Sequence, residues 1–372
     1  MAAPGTALHR VSLDPISADA ATDDLLTAIL RANSRVSDLI FSPGRKFQVQ
    51  VSGEFIPLET SSTSSLTADD TRRIASDLIG NNKAAISMLR EQGYCDISYA
   101  LPGVARFRVN VFIQRGSCAV VMRVIPTSIP DFKSLGLPET LREIGSLRDG
   151  LVLVTGPRGS GKSSTLAVIL NHINETETCH IITIEDPIEF LHNHKRATVH
   201  QRELHSDTPS VLQAMRAALR QAPNVIAVGE LKDRETMELA LEAAETGHLV
   251  LSTLNTLNAQ QTVERFVAAF PAAEQAGARE RLARMLRYVI SQRLVPRSES
   301  SHRIAVFEIL KSGSKVLDRL LEGASSSGKE SAGLDEEIEK LVRAGMVTPE
   351  IALAHAIDPR ELAKKLAATE KK

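Results

Sequence analysis

The spacing of apolar and polar positions changes character partway along the chain. In "ATDDLLTAILRANSRVSDLIFSPG" the apolar residues Leu25, Leu26, Ile29 and Leu30 recur at helical spacing, and a short strand follows. "KFQVQVSGEFIPL" alternates instead, with Phe47, Val49 and Val51 on one face and a turn at Ser52-Gly53, the pattern of a β-hairpin. "TADDTRRIASDLIGN" reads as a helix. "CDISYALPGVARFRVNVFIQRGSCAVVMRVIP" reads as three strands joined by turns at Pro102-Gly103 and Arg115-Gly116. Residues 21–125 are therefore expected to form an α+β domain, preceded by a disordered tail at residues 1–20. "PTSIPDFKSLGLPE", residues 126–139, carries three prolines and reads as an interdomain linker.

From residue 140 to 300 the pattern is different. Short apolar runs, "LVLVTG", "HIITIED", "NVIAVGE" and "LVLSTLN", alternate with longer stretches of helical periodicity. That succession predicts parallel strands joined by helical crossovers, an α/β fold. Residues 301–372 add a strand, "RIAVFEIL", and then helices. The Gly/Ser-rich stretch at 323–333 is expected to be flexible.

Composition narrows the function more than the fold. The 372 residues suit two or three domains, and 43% apolar content supplies a full core. Lysine and arginine number 44 against 45 acids, a net charge of −1, and aromatics are 3%. Neither a phosphate-tracking basic face nor a stacking surface is implied, which argues against nucleic acid as a partner while leaving room for a local basic patch. Cys95, Cys118 and Cys179 are far apart and form no CxxC pair, which argues against a zinc module and for reduced structural thiols. No apolar run reaches the ~20 residues that span a bilayer. The opening residues lack the apolar core of a secretory signal, so a cytoplasmic location is expected.

The sharpest chemical signal is "LVLVTGPRGSGKSSTLAVIL", residues 151–170. Gly156, Gly161, Lys162 and Ser163 match G-x-x-x-x-G-K-[ST] between an apolar strand pattern and a helical one. Glycines let successive backbone N–H groups turn toward anionic oxygens. The lysine reaches the β- and γ-phosphates, and the serine hydroxyl can ligate Mg²⁺. Residues 156–164 (Gly156, Pro157, Arg158, Gly159, Ser160, Gly161, Lys162, Ser163 and Ser164) are thus the candidate cradle for ATP. Hydrolysis also needs a carboxylate to orient water. Glu230 closes the strand "NVIAVGE", with Gly229 in the place of a first acid. Glu185, Asp186 and Glu189 close "HIITIEDPIE". Acids at strand ends sit where parallel sheets bind ligands, although a solvated strand-end acid is the competing reading. His248, at the start of "HLVLSTLN", reads either as a core histidine or as a γ-phosphate sensor.

"GPRGSGKSSTLA", "TIEDPIEF", "VGELKD" and "TGHLVLSTLNT", in this order, resemble the Walker A, Asp, Walker B and His boxes of secretion-superfamily ATPases. Within that superfamily the chain is similar to type IV pilus retraction (twitching motility, PilT-like) ATPases over residues 22–360. The resemblance implies a PAS-like N-terminal domain, a RecA-like P-loop ATPase domain, a C-terminal helical region and a homo-hexameric ring. It also implies attachment to an inner-membrane pilus platform protein from the cytoplasmic side, and possible association with a second pilus motor. By the same resemblance Glu230 activates water, and Glu185, Asp186 and Glu189 stand near Mg²⁺. His248 stands near the γ-phosphate, and Arg108 and Arg123 reach the nucleotide from the N-terminal domain. Arg216 and Arg220, four residues apart and so expected on one helix face, match family arginines. The chain departs from the family at Asn255, where a second histidine is usual, at Lys232, where an arginine is usual, and at Ala222 and Asn224, where acids are usual.

Overall fold

A computed structural model describes residues 21–33, 35–51, 54–58, 65–125, 128–298, 303–323 and 333–369. The tail at 1–20, the Ser52-Gly53 turn and nearly all of the Gly/Ser segment lie outside the described residues. The chain divides into two compact units, residues 1–127 and 128–372.

The N-terminal unit runs α1 (Thr22–Ala32), β1 (Val36–Phe41), β2 (Gln48–Val51), β3 (Glu54–Pro57), α2 (Ala68–Ile79), α3 (Lys83–Gln92), β4 (Tyr94–Leu101), β5 (Ala105–Gln114) and β6 (Ser117–Ile125). Its described strands form one six-stranded sheet, order β3-β2-β1-β6-β5-β4, with every neighbouring pair antiparallel. Leu25, Leu26 and Ile29 of α1 and Ile74 and Leu78 of α2 share a core with Phe107, Val109 and Met122 of the sheet. Thr67 opens α2 with a capping box, its side chain accepting from the Asp70 N–H while Asp70 accepts from the Thr67 N–H.

The C-terminal unit begins with a 3₁₀ turn at Glu139–Ser146. It continues through β7 (Gly150–Thr155), α4 (Lys162–Thr176), β8 (His180–Glu185), β9 (Thr198–Glu203), α5 (Val211–Ala218), β10 (Val225–Val228), α6 (Arg234–Glu245), β11 (Leu249–Leu254), α7 (Ala259–Ala268), α8 (Gln275–Met285), β12 (Leu286–Pro296) and β13 (Arg303–Lys311). Four helices follow: α9 (Lys315–Leu321), α10 (Gly333–Arg343), α11 (Pro349–His355) and α12 (Pro359–Thr369). The described strands form a seven-stranded sheet, order β13-β12-β7-β11-β10-β8-β9, parallel except for the β12/β13 pair.

Successive residues of β7 enter opposite cores. Leu151 and Leu153 pack under α5 to α8, and Val152 and Val154 pack under α4 and the 3₁₀ turn. A strand covered on both faces must be apolar at every position, which is why these strands read as unbroken apolar runs. The helices α10 to α12 close a separate small core over Val295 and Val306.

Two expectations are corrected. The segment read as a linker is not free connection over most of its length: Phe132 and Leu137 are buried in the core beneath α4. Arg216 and Arg220 do not share a helix face, because α5 ends at Ala218 and Arg220 follows in a turn.

Candidate functional site

Every group that carries chemistry in the C-terminal unit leaves the sheet at one edge. β7, β8, β10 and β11 are parallel, so their C-terminal ends lie side by side. The loop 156–161 follows β7, Glu185 is the last residue of β8, and Glu230 and Asn255 stand just past β10 and β11.

The loop's shape depends on its glycines. Gly156, Gly159 and Gly161 have φ of 151°, 76° and 89°. A Cβ on Gly156 would lie 2.3 Å from the Gln292 carbonyl oxygen, and one on Gly161 would lie 2.8 Å from the Gln292 side-chain nitrogen. Gln292 itself is pinned by the Thr165 hydroxyl, which donates to its Oε1 at 2.6 Å. Sequence reasoning missed Gln292. It lies far along the chain in "ISQRL", and its only signal is that two glycines must make room for it.

The first amides of α4 are left open. Gly161 begins this helix and supplies no side-chain cap, whereas Ser210, Asp233 and Asn258 cap α5, α6 and α7. Open N–H groups and the positive helix end favour an anion. The Ser160 hydroxyl is buried with no hydrogen-bond partner in the structure, as expected of a group built to meet a ligand. Lys162 Nζ donates to the Gly156 and Pro157 carbonyls at 2.8 and 3.0 Å. Burial pulls the Lys162 ammonium below the usual lysine pKa, against the opposing charge of Glu230. The Ser163 hydroxyl donates to Glu189 Oε1 at 2.9 Å.

A cavity of about 380 Å³ lies beside the loop. Arg158, Lys162 and Ser163 line it together with the carboxylates Glu185, Asp186, Glu189 and Glu230. Glu185 accepts from the Thr183 hydroxyl at 2.6 Å and from Gln201 Nε2 at 2.9 Å, yet burial still pushes its carboxyl above the ordinary range. Glu230 accepts from Asn255 Nδ2. Lys232 Nζ lies 3.9 Å from both Glu230 and Asp186. His192, also missed from sequence, lines the same cavity, and burial pushes its pKa down to about 4. The loop and the four strand-end acids are therefore brought together.

His248 is not among them, which corrects the sensor expectation. It precedes β11 and so stands at the sheet edge opposite the loop, with six residues of strand between. At ~3.3 Å per residue that is roughly 20 Å. Its Nδ1 contacts the Ala243 carbonyl at 2.9 Å, a local role at the end of α6. The residue of that segment that reaches the cavity is Asn255.

Arg108 and Arg123 belong to the N-terminal unit, where they face each other across β5 and β6. Asp38 on β1 sits opposite Arg123 and accepts from its Nε at 2.8 Å. Among the described residues no group of three or more His, Cys, Asp or Glu forms a ready metal cage, and the three cysteines are free. No helix among them is long and apolar enough to cross a membrane.

Residues 94–333 match the family model described as type II/IV secretion system protein. The chain is 44% identical over 272 residues to a twitching motility protein of Neisseria gonorrhoeae, covering 70% of this chain and 72% of that protein. It is 36% identical over 335 residues to the type IV pilus ATPase PilU of Pseudomonas aeruginosa, covering 88% and 86%. Among solved structures it superposes on the pilus retraction motor PilT with bound ADP at a TM-score of 0.81 and 41% identity. That match covers 88% of this chain and 95% of the other. The parallel sheet with its loop at the β7–α4 junction is thus a RecA-like ATPase core, carried with an N-terminal α+β part and a C-terminal helical part.

Proposed function

The chain belongs to the type II/IV secretion ATPase family, and from that premise we propose that it is a hexameric motor that drives pilus retraction at the cytoplasmic base of a type IV pilus. Its reaction is hydrolysis of ATP to ADP and phosphate. One observation carries the reading more than any other: a glycine-shaped loop, an uncapped helix start and four carboxylates meet at one cavity.

In this reading the triphosphate seats on the N–H groups of residues 156–161 and the first turn of α4. Lys162 exchanges the Gly156 and Pro157 carbonyls for β- and γ-phosphate oxygens. Ser163 is the residue that would hold Mg²⁺, whose charge would offset that of the phosphate oxygens. Glu230 takes a proton from water as the water attacks the γ-phosphorus, and ADP departs. Glu185, Asp186 and Glu189 hold the acidic wall around the phosphates. The assignment of Arg108 and Arg123 to the phosphates rests on the family resemblance alone. A pilus inner-membrane platform protein is the proposed partner.

A second reading is carried by Asn255. A neutral amide stands where the family usually has a titratable histidine, which suits a weakly active paralogue that regulates another pilus motor. Steady-state ATP turnover of the purified protein, alone and mixed with the companion motor, separates the two. The motor reading expects turnover by the protein alone. Absence of turnover alone, with a changed rate in the companion, overturns it in favour of the regulator.

A further inference from the structure

We propose that Asn255 is the positioning residue for Glu230, its side-chain amide holding the carboxylate in the orientation that accepts the proton from water. The proposal rests on the reading of Glu230 as the water activator.

The contact is built from the backbone upward. β10 and β11 pair in parallel with Val228 opposite Ser252, so the two loops that follow leave the edge side by side. Three hydrogen bonds tie the end of β11 to the end of β10 and the residues that follow it. Ser252 Oγ donates to the Val228 carbonyl at 2.7 Å, Thr253 Oγ1 to the Gly229 carbonyl at 2.6 Å, and the Leu231 N–H to the Thr253 carbonyl at 3.2 Å. Asn255 is itself exposed, but it and Glu230 are carried on neighbouring, mutually fixed backbone. Asn255 Nδ2 donates to Glu230 Oε1. An ionised carboxylate only accepts, so the amide must turn its nitrogen toward it.

Lys232 is a poor candidate for the same task. Its ammonium is 3.9 Å from Oε2, beyond hydrogen-bond range. An isotropic ammonium at that range supplies charge but little direction. The amide holds one carboxylate oxygen and leaves the other to receive the proton. It also cannot exchange a proton with Glu230, so Glu230 keeps the proton-accepting role to itself.

The test compares Asn255→Ala, Asn255→Asp and Asn255→His with Glu230→Gln, reading kcat, KM for ATP, affinity for a fluorescent ADP analogue and melting temperature. A donor role expects Asn255→Ala and Asn255→Asp to lose about 10- to 100-fold in kcat with KM within about threefold. Asn255→His, which keeps a ring N–H, is expected to stay within about fivefold of the parent. A spacer role predicts the reverse order, because Asp matches Asn in shape and His does not. Parental kcat in the Ala variant, or an Asp variant better than the His variant, overturns the proposal. Should the Ala variant melt early, the Asp and His pair decides alone. Parental turnover by Glu230→Gln refutes the Glu230 reading itself. A dead Glu230→Gln beside a fully active Asn255→Ala refutes only the positioning role.

Discussion

β5 of the N-terminal sheet alternates between buried and accessible positions along most of its length, whereas β7, β10 and β11 of the C-terminal sheet are buried at every residue. The alternating sheet can display side chains from the middle of its strands. Arg123 and Arg108 are displayed side by side in this way on β6 and β5, with the buried Asp38 of β1 on the other side of Arg123. The doubly covered sheet cannot. Its functional groups are pushed to or beyond the strand ends, to Glu185, Glu230, Asn255 and the loop after β7. Substitutions should therefore act differently in the two sheets: at the parallel edge they remove chemistry, and at the buried positions of the antiparallel sheet they remove stability.

The largest expected effect is at the parallel edge. Gly156→Ala adds a Cβ 2.3 Å from the Gln292 carbonyl at a φ of 151°, so the loop must reshape. Calorimetric titration should show ATP affinity falling by about 100-fold or more, the scale of losing several charge-assisted hydrogen bonds. Next comes the other sheet. Phe107 is fully buried on β5, and Phe107→Ala should cost about 3–5 kcal/mol, read from denaturant unfolding of the N-terminal unit.

A smaller, pH-dependent effect sharpens the contrast within the parallel sheet, at its one antiparallel strand. Glu308 on β13 is buried, accepts the Ala259 N–H at 2.9 Å, and burial pushes its carboxyl above the ordinary range. Its folded-state pKa thus exceeds its unfolded one, so folding is favoured where the group is protonated. That advantage is lost as pH rises from the usual glutamate range through the raised folded value. Glu308→Gln should raise the melting temperature above that window and leave it nearly unchanged below. The smallest effect falls on the arginine row. Arg123 is 70% exposed, so Arg123→Ala should change unfolding free energy by no more than about 1 kcal/mol. A much larger loss would mean that this row is structural.

The same contrast explains what could be read from sequence. Unbroken apolar runs at crossover spacing signalled parallel strands, and the glycine-lysine-serine loop fell on a strand–helix junction, so the cradle was legible. The burial of Phe132 and Leu137 was not, because the prolines report local backbone limits and not what the side chains later pack against. His248 misled for a directional reason. It adjoins a site strand in sequence, but it lies before that strand, and only residues after a parallel strand reach the ligand edge. Gln292 had no strong local signature, since its importance comes from neighbours on other strands, whereas Asn255 was marked by its place in the box "TGHLVLSTLNT" but not by its contact with Glu230.

The most direct test of the central claim is a calorimetric titration of a non-hydrolysable ATP analogue into the parent protein and into Lys162→Ala. The account predicts one site per chain, weakened by about 100-fold or more when the lysine is removed. Equal affinity in the two proteins, or no binding by the parent, would contradict it.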